Sequence, residues 1–565
     1  MKKYLFLLLI MDAFCVHAQQ NCDVKTQQPL QLLNAQLTRS MKALKKQKPP
    51  IYYMAYTFKE VEEFSMQVEE GGVRFRVRDP QRILQVQARA GSPKLDNTRT
   101  LKNDRTNYDI TTQELPAITG SGKAFETAVW RATQTAAENA QQAFNRVQAD
   151  VQTASQRVDN SPDFVLPQKE IFCQEAPALQ FDTARIEKML VAASQLTKNK
   201  PFVLDSSFAF SYKTGSRYFV DSVGTQLKTP VRLARLAYNL RGKTVDGAWL
   251  NRSHTYDVLD EKELPSEAQF LADIRQSLAE LQALTQAPEA GPVTVPAILK
   301  NRAMGVFVHE VLGHRVEGHR QKEDSFGKTF TDKVGQQVVA PILTIVDDAT
   351  LAYFNGEPLR GYYEYDDEGA KARPVVIIEN GVLKNFLMSA SPIENFSLSN
   401  GHGRGETGKR PVARMGNTRV IASQTVSYDE LEQKLLDEIK KQGKPYGYII
   451  EDLSGGFTMT ETFAPQSFKL TPTFVYRIYP DGKKEVVRGA DMVGTPLVSF
   501  NEIIAAADDY GVFNGTCGAE SGWVPVSAIA PSVLLRKLEI EKASKDGVKP
   551  PVLPPPFAEG KWKNF

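Results

Sequence analysis

Cysteine is scarce in this chain, with four among 565 residues, too few for a scaffold held together by disulfides. Excess charge is scarce as well. The 69 basic and 66 acidic side chains leave a formal +3, which makes no electrostatic case for nucleic acid or an anionic membrane surface. The 37 glycines and 32 prolines form no collagen-like period and no low-complexity tract. Past the first twenty residues, no apolar run approaches the ~20 residues needed to cross a bilayer. What is present is ordinary: 42% hydrophobic and 24% charged residues describe a folded chain long enough for more than one domain.

Met1 to Ala18 reads MKKYLFLLLIMDAFCVHA. Lys2 and Lys3 make a charged start, Tyr4 to Met11 an apolar run interrupted at Asp12, and Val16-His17-Ala18 a small-residue cleavage site. That is the pattern of a signal peptide. The run is too short for a membrane anchor, and neither Cys15 nor Cys22 follows a lipidation box. The expectation is an exported protein, periplasmic or extracellular, with no membrane span in the mature chain. Cys15 leaves with the leader, which would alter the net charge by only one. Cys22 and Cys173 are then candidates for a disulfide in an oxidising compartment, with Cys517 the odd thiol; three unlinked cysteines is the alternative.

The periodicity predicts an α+β fold. Residues 19–290 read as a mixed domain with long helices: helical spacing over 23–50, 124–158, 182–196 and 267–284 is interleaved with period-two runs. The runs lie at Tyr52–Phe58, Phe64–Val68, Val73–Val77 and Ile83–Ala90, then Phe202–Tyr212, Arg217–Val223 and Gly224–Leu240, with a turn at Gly71-Gly72. His254 reads as part of a turn. Ala287-Pro288-Glu289-Ala290-Gly291-Pro292 is the best boundary. Residues 291–540 follow as a predominantly β domain, with a helix around 298–318 and another at 429–441. A Pro-rich extended tail occupies 541–565.

The chemistry concentrates in His309-Glu310-Val311-Leu312-Gly313-His314-Arg315-Val316-Glu317-Gly318-His319, which holds three of the six histidines. Zinc peptidases of the zincin type space two histidines four apart, on one helical face. Here they are five apart, about 140° round a regular helix. A π-bulge at Gly313 would let them converge. Glu310, beside a ligand, is then placed as general base. The alternative is a structural histidine pair on a buried helix. A catalytic zinc takes three protein ligands and one open position, so a distant third ligand is needed. Cys517, in Asn514-Gly515-Thr516-Cys517-Gly518, is the candidate: its small neighbours allow close approach, and thiolate suits zinc. His319 is a candidate substrate or metal contact. His402 lies in a glycine-rich loop.

These residues resemble the TldD/PmbA family of metallopeptidases, also labelled modulators of DNA gyrase. The resemblance runs through His309–His314, Glu317-Gly318, and Gly515–Gly518 ahead of Val524-Pro525-Val526. It continues in Val346–Asp348, Asp366–Gly369, Ile378–Lys384, Gly401–Arg404, Pro411–Thr418 and Ile478–Gly482. It covers about 292–540 densely and the earlier part by layout alone. It implies a zinc site of His309, His314 and Cys517 with Glu310 as base, of the active TldD-like type rather than the metal-lacking partner type. It also implies a homodimer, or a heterodimer with a related subunit, enclosing a chamber that admits unfolded peptides in extended form. Two features depart from the family: the apparent leader, since its best-known members are cytoplasmic, and His319, where an aspartate often stands.

The leading expectation is therefore an exported zinc metallopeptidase that hydrolyses peptides or unfolded segments with zinc-activated water. The competing one is a non-catalytic, metal-stapled peptide-binding protein, in which His319 would close the site. Nucleic-acid regulation finds no support in the charge balance.

Overall fold

The computed structural model describes residues 20–101, 107–153, 159–322, 326–460 and 467–543. The leader, residues 154–158 of the Ala/Gln-rich stretch, and the Pro-rich tail beyond Ala543 lie outside the described residues. The expected α+β class is what the fold shows.

The N-terminal part begins with α1 (Gln28–Leu44), then a long hairpin of β1 (Ile51–Glu69) and β2 (Gly72–Ser92). The hairpin turns at Glu70 and Gly71, whose φ values are 48° and 81°, the left-handed pair that a two-residue loop requires. Then come α2 (Lys123–Thr153), α3 (Thr183–Gln195), β3 (Asp205–Asp221), β4 (Gln226–Lys243), β5 (Trp249–Asp257) and α4 (Glu267–Gln286). In the sheet the order is β5-β4-β3-β1-β2, all antiparallel.

Shorter strands read from the sequence merge in these long ones. Lys59 to Glu63 interrupt the apolar alternation yet stay in the ladder, because Glu60, Glu62 and Glu63 pair with Arg82, Arg78 and Lys213 on neighbouring strands. Cross-strand charge pairs hold a strand without an apolar signal. His254 is likewise not in a turn: it sits within β5 opposite Tyr238, its ring 4.5 Å from that of Tyr256. The Cys22–Cys173 pairing is present as a disulfide, and Cys517 is free and buried.

Strand alternation divides the sheet's two faces. Even-numbered residues, Met54 to Val68 in β1 and Phe208 to Val220 in β3, pack against α1 and α2 at one end and α3 and α4 at the other. Odd-numbered Tyr53, Ala55 and Phe219 meet Tyr365 and Ala390 of the C-terminal part. Arg217 Nη2 donates to the Asp366 carbonyl at 2.8 Å. Arg235, doubly bonded to Asp257, donates to the carbonyl of Asn514 at 3.0 Å, so this face also braces the strand that carries Cys517.

The C-terminal part contains β6 (Val293–Leu299), α5 (Asn301–Val311), β7 (Leu343–Asp347), β8 (Val375–Glu379), β9 (Asn417–Ala422) and α6 (Tyr428–Lys441). These are followed by β10 (Gly447–Thr458), β11 (Phe468–Ile478), β12 (Ala490–Gly494), β13 (Gly511–Ala519), β14 (Gly522–Ala530) and β15 (Val533–Lys542). Pairings run β6-β10-β11-β12-β15 and return from β15 to β6, closing a ring of strands. A second sheet runs β8-β7-β9-β14-β13, leaving β13 at its edge. Helix α5 lies in the core shared by the two, with Ala303 to His309 and Val311 buried.

Candidate metal centre

The helix expected over 298–318 is shorter. It ends at Val311; the C-cap Leu312, stretched to φ −108°, ψ −51°, still donates to the Val308 carbonyl, and Gly313–Val316 then tighten into a 3₁₀ turn. No π-bulge is formed at Gly313. Two contacts break the helix instead. The Gly313 Cα lies so close to the Met415 thioether that a Cβ would collide with it. The turn is also tied to the chain at Leu387, with Leu387 N–H donating to the Val316 carbonyl at 2.9 Å and Gly318 N–H to the Leu387 carbonyl at 2.8 Å. The break re-aims the chain so that His314 faces His309, ring centroids 5.2 Å apart and nearly perpendicular.

Edge strand β13 brings Cys517 to the same point across more than 200 residues of sequence. One ligand atom from each of His309, His314 and Cys517 lies within 4.8 Å of the others, and all three residues are buried. Cys517 Sγ is 3.4 Å from His314 Nε2. Burial opposes ionisation of Cys517, but His314, His309 and Arg414 outweigh it and hold the thiol well below its ordinary range. His314 shows the reverse balance: burial disfavours its charge, while Cys517 and Glu317 push it up to about 10.

Glu317, three residues beyond His314, is fully buried. Its Oε2 lies 3.2 Å from His314 Nδ1 and accepts from Arg320 Nε at 2.8 Å. Burial alone would favour its neutral form, but His314, Arg320 and Arg414 keep its carboxyl well below the usual range. A carboxylate on one imidazole nitrogen fixes the tautomer that presents the other nitrogen to a ligand. Sequence reasoning quoted Glu317 only as part of a resemblance; its i+3 spacing from a candidate ligand was the available signal.

The donor set fits a divalent zinc-type ion. Two imidazoles and a thiolate suit that metal, Glu317 supplies the outer carboxylate, and His309 Nδ1 is buried with no hydrogen-bond partner among the described residues. The group opens into a cleft of about 540 Å³ lined by His309, Glu310, His314 and Cys517, by Ser454–Gly456 of β10, and by the exposed Trp523. Burial raises the Glu310 carboxyl against the opposing pull of His309 and His314, bringing it nearer the range where a general base works. His319 is placed elsewhere. It is buried with Nε2 3.5 Å from Glu520 Oε2, in a separate group with Glu317 and Glu520, and is not among the residues lining the cleft.

Residues 292–542 match the family model of the PmbA/TldA metallopeptidase C-terminal domain. That domain is the TldD/PmbA family's, and it takes up somewhat less than half of this chain. It is 30% identical over 276 residues to a metalloprotease TldD homolog of Haemophilus influenzae, covering 47% of this chain and 51% of that one. With a metalloprotease of Methanocaldococcus jannaschii it shares 25% identity over 375 residues, covering 64% and 77%. A zinc metalloprotease TldD homolog of Saccharolobus solfataricus is 27% identical over 274 residues, covering 47% and 57%. The chain thus spans about half the length of the first and third of these. The crystal structure of TldE from Thermococcus kodakarensis has the same fold, with TM-score 0.57 and 13% identity over 90% of this chain and 100% of that one.

Within this TldD/PmbA-type domain the structure brings His309, Glu310, His314 and Cys517 together and adds the buried charges of Glu317 and Arg320 and the half-buried Glu520. Arg320 bridges the two carboxylates, at 2.8 Å to Glu317 and 2.8 Å to Glu520. No helix among the described residues is long and apolar enough to cross a membrane.

Proposed function

We propose that this protein is an exported, zinc-dependent metallopeptidase acting on peptides or unfolded polypeptide segments. The observation that carries the reading is the convergence of His309, His314 and Cys517 on the wall of a cleft, with Glu310 beside them and no fourth protein ligand among the described residues. His319, the residue that would have closed a purely structural site, stands apart from the three. The metalloprotease names of the relatives, one of them a zinc metalloprotease, support the same reading.

His309, His314 and Cys517 would hold the metal, which supplies Lewis-acid polarisation of a peptide carbonyl and acidifies water. The chain's own residues do the rest. Glu317 keeps His314 in the tautomer that leaves Nε2 free to bind. Glu310 takes a proton from the attacking water and delivers it to the leaving amine. Ser454–Gly456 and β13 form cleft walls about an extended substrate. A related subunit or a second copy completes the assembly, a reading supported by the TldE likeness. Export rests on the N-terminal pattern of charge, apolar run and cleavage site, with which a disulfide between Cys22 and Cys173 is compatible.

The deciding experiment sets metal content beside peptidase activity in the wild type and Glu310→Ala. The variant is expected to keep its zinc and fold and lose roughly 10²–10⁴ in rate, the usual worth of a general base. Loss of zinc would make Glu310 a ligand, and full activity would place the base elsewhere.

A further inference from the structure

Arg414 is fully buried and does not line the cleft, yet it touches both halves of the centre. Its Nη2 donates to the carbonyl of Cys517 itself at 2.7 Å. Nη1 donates to Ser521 Oγ at 2.9 Å and to the Gly522 carbonyl at 3.0 Å, on the turn that joins β13 to β14. Nε lies 3.3 Å from Glu317 Oε1, whose other oxygen holds His314. The residue is itself anchored by its own N–H, which donates to the His402 carbonyl at 2.9 Å. Ser521, in turn, donates to the Arg404 carbonyl at 2.9 Å.

A buried guanidinium is costly unless it is paired; here Nη1 and Nη2 are matched by hydrogen bonds to the hairpin, while Nε meets the Glu317 carboxylate as an ion pair without a hydrogen bond. Cys517 sits on an edge strand, with ladder bonds on the β14 side alone, so the sheet by itself constrains the sulfur from one side. The rigid planar fork of arginine spans three oxygens of the hairpin and one carboxylate at once. The point charge of a lysine, with its shorter reach and flexible stem, cannot.

We propose that Arg414 is the positioning residue of the centre: a single guanidinium locks the Cys517 hairpin to the carboxylate that orients His314, and so sets the separation of sulfur and imidazole. The inference rests on the three-ligand reading given above. A mere core staple would alter stability and leave the ligands' behaviour toward metal unchanged.

The test uses the full chain, with zinc affinity from chelator competition and the thiolate-to-cobalt absorption band of the Co²⁺-loaded protein. Arg414→Lys is expected to bind zinc roughly 10–100-fold more weakly, as changes behind a ligand do, with the thiolate band shifted or diminished. Ser521→Ala, which removes one acceptor and keeps the charge, should move both readouts in the same direction by less. Ile274→Ala, a truncation in the core of the N-terminal part that touches neither Arg414 nor the centre, serves as the control for destabilisation alone. Affinity within twofold of wild type and an unaltered band in Arg414→Lys would overturn the proposal. Should that variant fail to fold, an unaltered band in Ser521→Ala overturns it instead. A wild type with no thiolate band at all would sink the three-ligand centre rather than the role of Arg414.

Discussion

The C-terminal part contains two buried histidine–carboxylate pairs that look alike at first sight. His314 meets Glu317 at 3.2 Å, and His402 meets Asp347 at 3.1 Å. The difference lies at each ring's second nitrogen. His402 Nδ1 is already taken by Asn400, at 3.0 Å to Oδ1 and 3.2 Å to the carbonyl. Asp347 is filled as well, by the Gly416 N–H at 2.9 Å and the Thr418 hydroxyl at 2.7 Å. His314 Nε2 faces a sulfur and an open cleft. A buried histidine beside a carboxylate is therefore no sign of a functional site; what the free nitrogen faces decides.

The largest effect should come from removing a nitrogen that faces the cleft. His314→Ala is expected to lose the metal and peptide hydrolysis together, which metal analysis of the purified variant checks. Retention of a full equivalent would move the centre elsewhere. Glu317→Gln keeps an acceptor for the imidazole but removes the charge that Arg320 and Arg414 address. Zinc affinity should fall by roughly 10–100-fold while the site still fills at high metal, as a chelator titration would show.

His402→Ala sharpens the comparison from the other side. It leaves Asp347 buried with one partner fewer, at a cost of about 1–3 kcal/mol in unfolding free energy. Zinc affinity should stay within twofold of wild type. Denaturant unfolding and chelator competition on the same preparation separate the two outcomes, and a loss of zinc in this variant would erase the distinction between the pairs.

Sequence alone distinguished these pairs only in part. The His309–His314 spacing, Glu310 and the small residues round Cys517 were legible because ligand chemistry constrains residue type and immediate neighbours. How the two histidines meet was not, since the helix break depends on Met415 and Leu387, both far along the chain. Arg414 was hidden for the same reason, since its partners come from separate elements; Glu317 had a local signal in its i+3 spacing from His314, but nothing in the sequence showed that the pair would be buried together. In the fold, the helices were legible from their apolar period. The closed ring of β6, β10, β11, β12 and β15 was not, because pairing partners and registers are long-range properties. Lys59 to Glu63 were lost from β1 because ion pairs, rather than apolar residues, hold that stretch in the sheet.

His254 extends the comparison to a third histidine, one with no carboxylate on its ring. It packs against Tyr256 and Tyr238 in the N-terminal sheet. Burial, helped by the nearby Arg302, depresses its pKa from 6.5 to about 4, against the opposing pull of Asp273. The unfolded chain therefore binds a proton that the folded chain refuses between about pH 6.5 and about pH 4. Stability falls as pH drops through that window and the loss levels off below it, where both states are protonated. His254→Gln has no such proton to exchange, so its stability should decline less steeply over the same window. Denaturant unfolding at steps from pH 7 to pH 4, read as the difference between wild type and variant, cancels what the carboxylates contribute to both. A difference that stays flat with pH would mean that the ring accepts its proton in the folded protein as easily as in water. In that case burial among aromatic rings, unlike a missing partner at the metal centre, would leave this histidine's chemistry unchanged.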